Sequence, residues 1–287
     1  MRERRVPPPE GDFAGQVAVV TGAGSGIGRS TALLLGRHGA TVHAADVDEA
    51  SATAVAAEIE AGGGRAVAHV VDVTDAAAVG RLAERVYEAE GAVDVLHNNA
   101  GVGHGGAVEE TALEDWRRVV EVNLMGVVHG VHHFVPRMLR QGRPAQIVNT
   151  ASAAGLLPVP GLVPYATTKH AVVGLSESLN AELAPRGVRV SAICPGLVNT
   201  PIVGSAKLSG ELPGERERIR RVYERFGVSP DVVAEAVLDA IRRRKLIRTV
   251  PRRHVVVQWG LRRISPRAAQ LLARASAHVS SRVQGRG

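Results

Sequence analysis

The octapeptide Thr21-Gly22-Ala23-Gly24-Ser25-Gly26-Ile27-Gly28 constrains this chain more than any other segment. It follows an apolar, β-branched run at 17–20 and opens a helix-like stretch that reaches about His38. Glycine lets the backbone turn tightly there and lets a bound group approach without a side chain intervening. The helix N-terminus that follows offers free N–H groups and a partial positive charge, which suits a pyrophosphate. A Gly-rich turn alone is weak evidence. Between a strand and a helix it predicts a dinucleotide site, contacted by Gly22, Ser25, Gly26, Ile27 and Gly28.

The rest of the chain continues the same rhythm. Residues 41–45, 65–71, 93–97, 145–149 and 188–193 are short apolar runs, as buried parallel strands should be. Helix-like stretches at 49–61, 75–90, 113–138 and 163–183 lie between or beside them, and Gly62, Gly63 and Gly64 stop the first of these. Repeated β-α-β units predict an α/β fold: one doubly wound, mostly parallel sheet of about seven strands with helices on both faces. Such sheets bind ligands at the carboxyl ends of their strands. With no internal repeat and no second apolar core, 13–250 reads as a single domain. Residues 200–227 break the rhythm, are rich in Gly and charge, and read as a lid. Pro230 and Asp231 then start another helix, which ends in the basic run 242–245.

Both ends differ from the body. Residues 1–12 are basic and then proline-rich, lack the apolar core of a secretory signal, and read as a disordered lead-in. The net charge of +7 belongs to the other end. Between Ile241 and Gly287 lie thirteen of the 35 Lys and Arg residues and no Asp or Glu, leaving 22 basic against 28 acidic side chains elsewhere. In this basic extension, 251–287, Ser265-Pro266 begins a stretch with Ala268, Ala269, Leu271, Leu272 and Ala275 on one side. With Trp259 and the arginines, it would rest on an anionic membrane surface or dock on the body; docking is the favoured reading. Nucleic acid is not expected as a partner, because Trp259 is the extension's only stacking aromatic. No run of about 18 apolar residues is present to span a membrane. The single cysteine, Cys194, lies in an apolar run and reads as a buried thiol, so a cytoplasmic location fits.

Several residues carry chemistry. Asp46 ends the second strand, where a carboxylate accepts from the adenosine ribose hydroxyls and repels a 2′-phosphate, favouring NAD over NADP. The competing reading is a helix N-cap, since Asp48 and Glu49 stand beside it. Asp72, followed by Val73, suits the adenine amino group, and Asn99-Ala100-Gly101 forms a turn close to the cofactor. Tyr165 and Lys169 are four apart on a helix and share a face. A free Tyr has a pKa near 10, and a nearby ammonium should favour its phenolate. Ser152, at the end of the fifth strand, can donate to a substrate oxygen while Tyr165 exchanges the proton. His129, His132 and His133 have helical spacing but no supporting carboxylate or cysteine pattern, so no metal is expected. Arg216, Arg218, Arg220, Arg221 and Arg225 alternate with Glu211, Glu215, Glu217 and Glu224, as on a solvated lid helix.

With these motifs in place the chain resembles the short-chain dehydrogenases/reductases, in their single-domain branch, over about 13–250. The resemblance rests on TGAGSGIG at 21–28, Asp46, Asp72, NNAG at 98–101, Asn123, Ser152, YATTK at 165–169 and PG at 195–196. It implies a Rossmann-like domain and a catalytic set of Asn123, Ser152, Tyr165 and Lys169. Asn123 would hold a helix bend and a water that links Lys169 to solvent. Tyr165 and Lys169 would also contact the cofactor, Lys169 through the nicotinamide ribose. Pro195, Gly196, Val198 and Thr200 would cover the nicotinamide. Members commonly end in a Gly-rich segment that helps build a tetramer; here Lys245-Leu246-Ile247-Arg248-Thr249-Val250-Pro251 and the basic extension stand instead. A homodimer through the two long helices, or a homotetramer, is the expected assembly. The expected function is hydride transfer between NAD(H) and a secondary alcohol or ketone. The substrate should be fairly apolar, walled by Ala153, Ala154, Leu156, Leu157, Val159, Leu162, Leu197 and Ile202. An NADPH-dependent carbonyl reductase and a catalytically silent dinucleotide sensor remain the alternatives.

Overall fold

The computed structural model describes residues 11–210, 214–265, 267 and 270. Seven strands form one parallel sheet: β1 (Val17–Thr21), β2 (Thr41–Asp46), β3 (Arg65–Val70), β4 (Val95–Asn98), β6 (Ala145–Thr150), β7 (Val188–Pro195) and β9 (Ile247–Val250). Their spatial order is β3-β2-β1-β4-β6-β7-β9. The chain leaves β1 toward one edge and returns at β4 toward the other. The crevice at that reversal lies above the carboxyl ends of β1 and β4, where doubly wound sheets bind ligands.

Alternation along each strand feeds two cores. Ala18, Val20, Val42 and Ala44 enter one, with α1 (Gly26–Arg37), α2 (Glu49–Ala61) and α9 (Pro230–Arg242) covering it. Val17, Val19, Ala45 and Leu96 enter the other, beneath α3 (Ala76–Glu90), α5 (Gly126–Arg140) and the end of α6 (Val163–Leu183). The helices start where their caps predict. Asp48 accepts from Ala50 N–H, Asp75 from Ala77 N–H, and Ser229 from Asp231 N–H with Pro230 next in line. Gly91, at φ 75°, closes α3 in the left-handed conformation.

Four features depart from the sequence reading. The helix expected over 113–138 consists of α4 (Leu113–Val120) and α5 joined through a π turn, Glu121–Met125. Residues 200–227 do not form an irregular loop: the described ones hold α7 (Ile202–Ser205), β8 (Lys207–Ser209) and α8 (Glu215–Phe226). β8 pairs in parallel with β5 (His104–Gly106) in a second, two-stranded sheet, and Lys207 reaches the buried Asp115 at 2.7 Å. On α8, Arg220 pairs with Glu217 and Glu224 at 2.9 Å, as on a solvated helix face. Asp12, assigned to the lead-in, is held instead by Arg242 and His38.

The basic extension begins with α10 (Arg252–Ile264), which docks. Val255 is buried and Trp259 half-buried in a third core, with Leu156, Val172, Val173 and Cys194. Ser265 caps the end of α10, whereas the helix expected over Ala268, Ala269, Leu271, Leu272 and Ala275 lies outside the described residues, as do residues 1–10 of the lead-in. Among the described residues no helix is long and apolar enough to cross a membrane.

Candidate active site

The Gly-rich turn is packed so closely that side chains would not fit. A Cβ on Gly28 would lie 2.0 Å from the Gly22 carbonyl oxygen, and one on Gly22, at φ +63°, 2.8 Å from Ala100 Cα. Ser25 precedes α1 with extended backbone, and its hydroxyl makes no capping bond. Gly26 begins the helix, and Ile27 anchors it in the first core. Asp46 is not the N-cap of α2; Asp48 is. The Asp46 carboxylate instead accepts from Gly24 N–H at 2.8 Å and Asp48 N–H at 3.1 Å, which fixes a negative charge beside the turn. Asp72 holds an exposed turn, its Oδ1 accepting from the Thr74 N–H and hydroxyl. Val73 is buried, and its carbonyl lies 2.8 Å from His129 Nδ1. His129 is thereby engaged, and among the described residues no cluster of His, Cys, Asp or Glu could hold a metal.

A polar network underlies the turn. Asn99 Nδ2 donates to the Thr21 and Gly22 carbonyls, at 3.0 and 3.2 Å. Thr21 Oγ1 accepts from the Asn99 and Ala100 N–H groups, at 3.0 and 3.2 Å. Thr150 donates to Asn99 Oδ1 at 3.1 Å and stands 2.9 Å from His97 Nε2. Burial pushes the His97 imidazole down to about 3, so it is neutral and its Nε2–H donates to Thr150. Sequence reasoning missed Thr150 and His97. Their place on the same alternating face as Val95 and Val148, on the neighbouring strands β4 and β6, was a usable signal, but each one's partner comes from another strand.

The other candidates meet above this network. Ser152 follows β6, and its Oγ accepts from Ala154 N–H at 3.1 Å. Lys169 is 3% exposed and donates from Nζ to the Thr150 carbonyl at 2.8 Å. The same Nζ lies 5.6 Å from the Tyr165 ring centroid. Asn123 sits in the π turn, a local widening common at functional sites. Its amide pairs both ways with Val102, at 2.8 and 3.0 Å. Gly101 fits between Asn123 and Lys169; a Cβ there would stand 3.2 Å from Asn123 Oδ1 and 3.6 Å from Lys169 Nζ. Pro195 ends β7, Gly196 donates to the Val250 carbonyl at 2.7 Å, and buried Val198 bridges to Val228. Thr200 then reaches the start of α1, within 3.2 Å of where a Gly26 Cβ would be. The segment therefore crosses the carboxyl edge of the sheet.

Two expectations need correction. Lys169 does not bring the Tyr165 phenol down in this structure. Burial pushes Tyr165 up to about 12, and a hydrogen bond from Ser152 only partly offsets it. Burial also brings the Lys169 ammonium down to about 8. Desolvation is the largest cause of both shifts, with Lys169 fully buried and Tyr165 keeping part of its surface exposed. The apolar wall is also smaller than expected. Ala153, Leu156 and Leu157 pack into the third core and Ala154 is buried, leaving Val159, Leu162, Leu197 and Ile202 more open.

Comparison with known proteins gives a consistent picture. Residues 16–209 match the family model for short chain dehydrogenases. The chain is 40% identical over 273 residues to the probable oxidoreductase EphD of Mycobacterium tuberculosis, covering 93% of this chain and 46% of that protein. It thus spans about half the length of that relative. It is 40% identical over 192 residues to the cyclohexanol dehydrogenase of an Acinetobacter species, covering 67% of this chain and 76% of the relative. A short-chain dehydrogenase/reductase of Burkholderia phymatum, solved in complex with NAD, superposes with a TM-score of 0.82 at 36% identity, covering 88% of this chain and 94% of its own. By fold, site geometry and sequence, the chain belongs to the short-chain dehydrogenase/reductase family of oxidoreductases.

Proposed function

We propose that this chain is an NAD(H)-dependent oxidoreductase that interconverts a fairly apolar secondary alcohol and its ketone, with Tyr165 carrying the proton. The convergence of Ser152, Tyr165 and Lys169 beside the Gly-rich turn, at the sheet's reversal point, carries this reading. The NAD bound in the Burkholderia structure and the cyclohexanol named for the Acinetobacter relative support it.

The residues present fit a dinucleotide. The cradle around Gly22 and Gly28 is one that Cβ atoms would fill, and the Ser25 hydroxyl is not spent on a cap. Gly22, Ser25, Gly26, Ile27 and Gly28 would hold the pyrophosphate. Asp46 would hold the adenosine ribose, Asp72 and Val73 the adenine, and Asn99, Ala100 and Gly101 the central part. Pro195, Gly196, Val198 and Thr200 would lie over the nicotinamide, and Lys169 against its ribose. When bound, the nicotinamide supplies the hydride acceptor or donor.

The chain's own residues manage the oxygen and its proton. Ser152 donates to the substrate oxygen and orients it. In oxidation Tyr165 Oη takes the hydroxyl proton; in reduction it returns one. Lys169 places a positive charge beneath the ring, and Asn123 holds the π turn against 101–102. Val159, Leu162, Leu197 and Ile202 exclude water from the reacting carbon.

Oxidation needs Tyr165 as phenolate, whereas reduction needs the phenol. Because burial holds the phenol well above neutral pH, the phenolate fraction rises tenfold per pH unit. Alcohol oxidation should therefore climb about tenfold per unit up to about pH 8 and bend above it, where Lys169 loses its charge, while ketone reduction stays level below about pH 8. Initial rates in both directions check this; a flat oxidation profile would remove Tyr165 from the proton step.

The fixed Asp46 carboxylate should also select the cofactor. NADH is expected to bind about tenfold or more tightly than NADPH, and Asp46→Ser should narrow the gap. Fluorescence titration reads both affinities. Tighter NADPH binding would replace this reading with an NADPH-dependent carbonyl reductase, and binding without turnover on any alcohol or ketone would favour a sensor.

A further inference from the structure

We propose that Arg262, in the basic extension, is a positioning residue that sets the spacing between Ser152 and Tyr165. This rests on the function proposed above. Ser152 begins a 3₁₀ turn, Ala153–Gly155, which ends at Leu156. The Leu156 carbonyl accepts from Arg262 Nη1. The same nitrogen lies 2.7 Å from His170 Nε2. His170 Nδ1 lies 2.9 Å from the Ala166 carbonyl, so Nδ1 carries the proton and Nε2 accepts from the guanidinium.

His170 and Ala166 directly follow Lys169 and Tyr165 on α6. One guanidinium nitrogen therefore ties the turn that carries Ser152 to the helical turn that carries Tyr165 and Lys169. The two segments already touch, since a Cβ on Gly155 would meet the Lys169 carbonyl oxygen at 2.4 Å. They belong to different elements, however, and the Arg262 side chain adds a polar tie between them. Arg262 reaches the junction because Val255 and Trp259 seat α10 in the core that holds Leu156. The extension thus completes the back wall of the site. A basic tail whose arginines are merely solvated would not make these contacts.

Arg262→Ala should lower kcat about tenfold and leave the Kd for NADH within about twofold, because small misplacements of reacting groups cost rate while the contacts of the Gly-rich turn and Asp46 with the dinucleotide stay in place. Amide exchange at 155–157 should accelerate about tenfold. Arg262→Lys should recover only part of each effect, since an ammonium cannot reproduce a guanidinium's fixed donor geometry. If Arg262→Ala does not fold, His170→Leu removes the α6 side of the tie and should act likewise. Unchanged kcat together with unchanged exchange would overturn the proposal. A loss of NADH affinity and melting temperature in step with kcat would also overturn it, by showing a general structural role. If the unmodified protein turns over no alcohol or ketone, the proposed function fails, and the exchange rates alone still decide whether Arg262 ties the two segments.

Discussion

Tyr165→Phe is expected to lower NAD-coupled turnover about 10³-fold while leaving NADH affinity within about twofold. The substitution keeps the ring, its packing and the cation beneath it; Lys169 Nζ would still lie 5.6 Å from the centroid. Only the oxygen that exchanges the proton is lost. Ser152 remains to orient the substrate, but a serine hydroxyl is too weak an acid to replace the phenol. Initial rates and fluorescence titration on the same preparation separate the two quantities. Turnover within tenfold of the unmodified protein would exclude Tyr165 as the proton carrier.

Gly28→Ala should have the largest effect on the folded state. Helix propensity alone would favour Ala over Gly by about 1 kcal/mol. The structure reverses that sign. The new Cβ would stand 2.0 Å from the Gly22 carbonyl oxygen and 2.5 Å from Asn99 Nδ2. The oxygen belongs to backbone, and the amide is held by the Thr21 and Gly22 carbonyls, so α1 must shift away from the turn. A cost of about 3 kcal/mol is expected, with NADH affinity reduced at least about tenfold. Denaturant midpoints and NADH titration measure the pair; an unchanged or raised midpoint would show that the turn is not packed as described.

The parts that could be read from sequence are those that local chemistry specifies. The β-branched runs, the glycine turn and the helix starts near Asp75 and Pro230 depend on neighbours within a few residues. The shared face of Tyr165 and Lys169 follows from helical spacing. What escaped depends on distant partners. β5 and β8 contain His104-Gly105-Gly106 and Lys207-Leu208-Ser209, with no apolar alternation to announce a strand. They pair because His104 meets Ser209 at 3.3 Å and Lys207 finds Asp115. Lys169 turns to the Thr150 carbonyl, a backbone atom without a sequence signature. Its effect on Tyr165 was misjudged because charge attraction can be inferred from spacing, whereas desolvation depends on what covers the pair. The extension shows the same limit: its basic composition was plain, but Arg262's two partners lie 92 and 106 residues away.

The most direct test follows the hydride itself. The protein is incubated with NADH deuterated on C4, in each stereochemical form, and a panel of cyclic and open-chain ketones beginning with cyclohexanone. Mass spectrometry then reads deuterium at the carbinol carbon. A deuterated secondary alcohol is expected from at least one ketone with the unmodified protein, and about 10³-fold less of it with Tyr165→Phe. Saturating NADH binding with no deuterium in any product, or equal labelling by Tyr165→Phe, would contradict it.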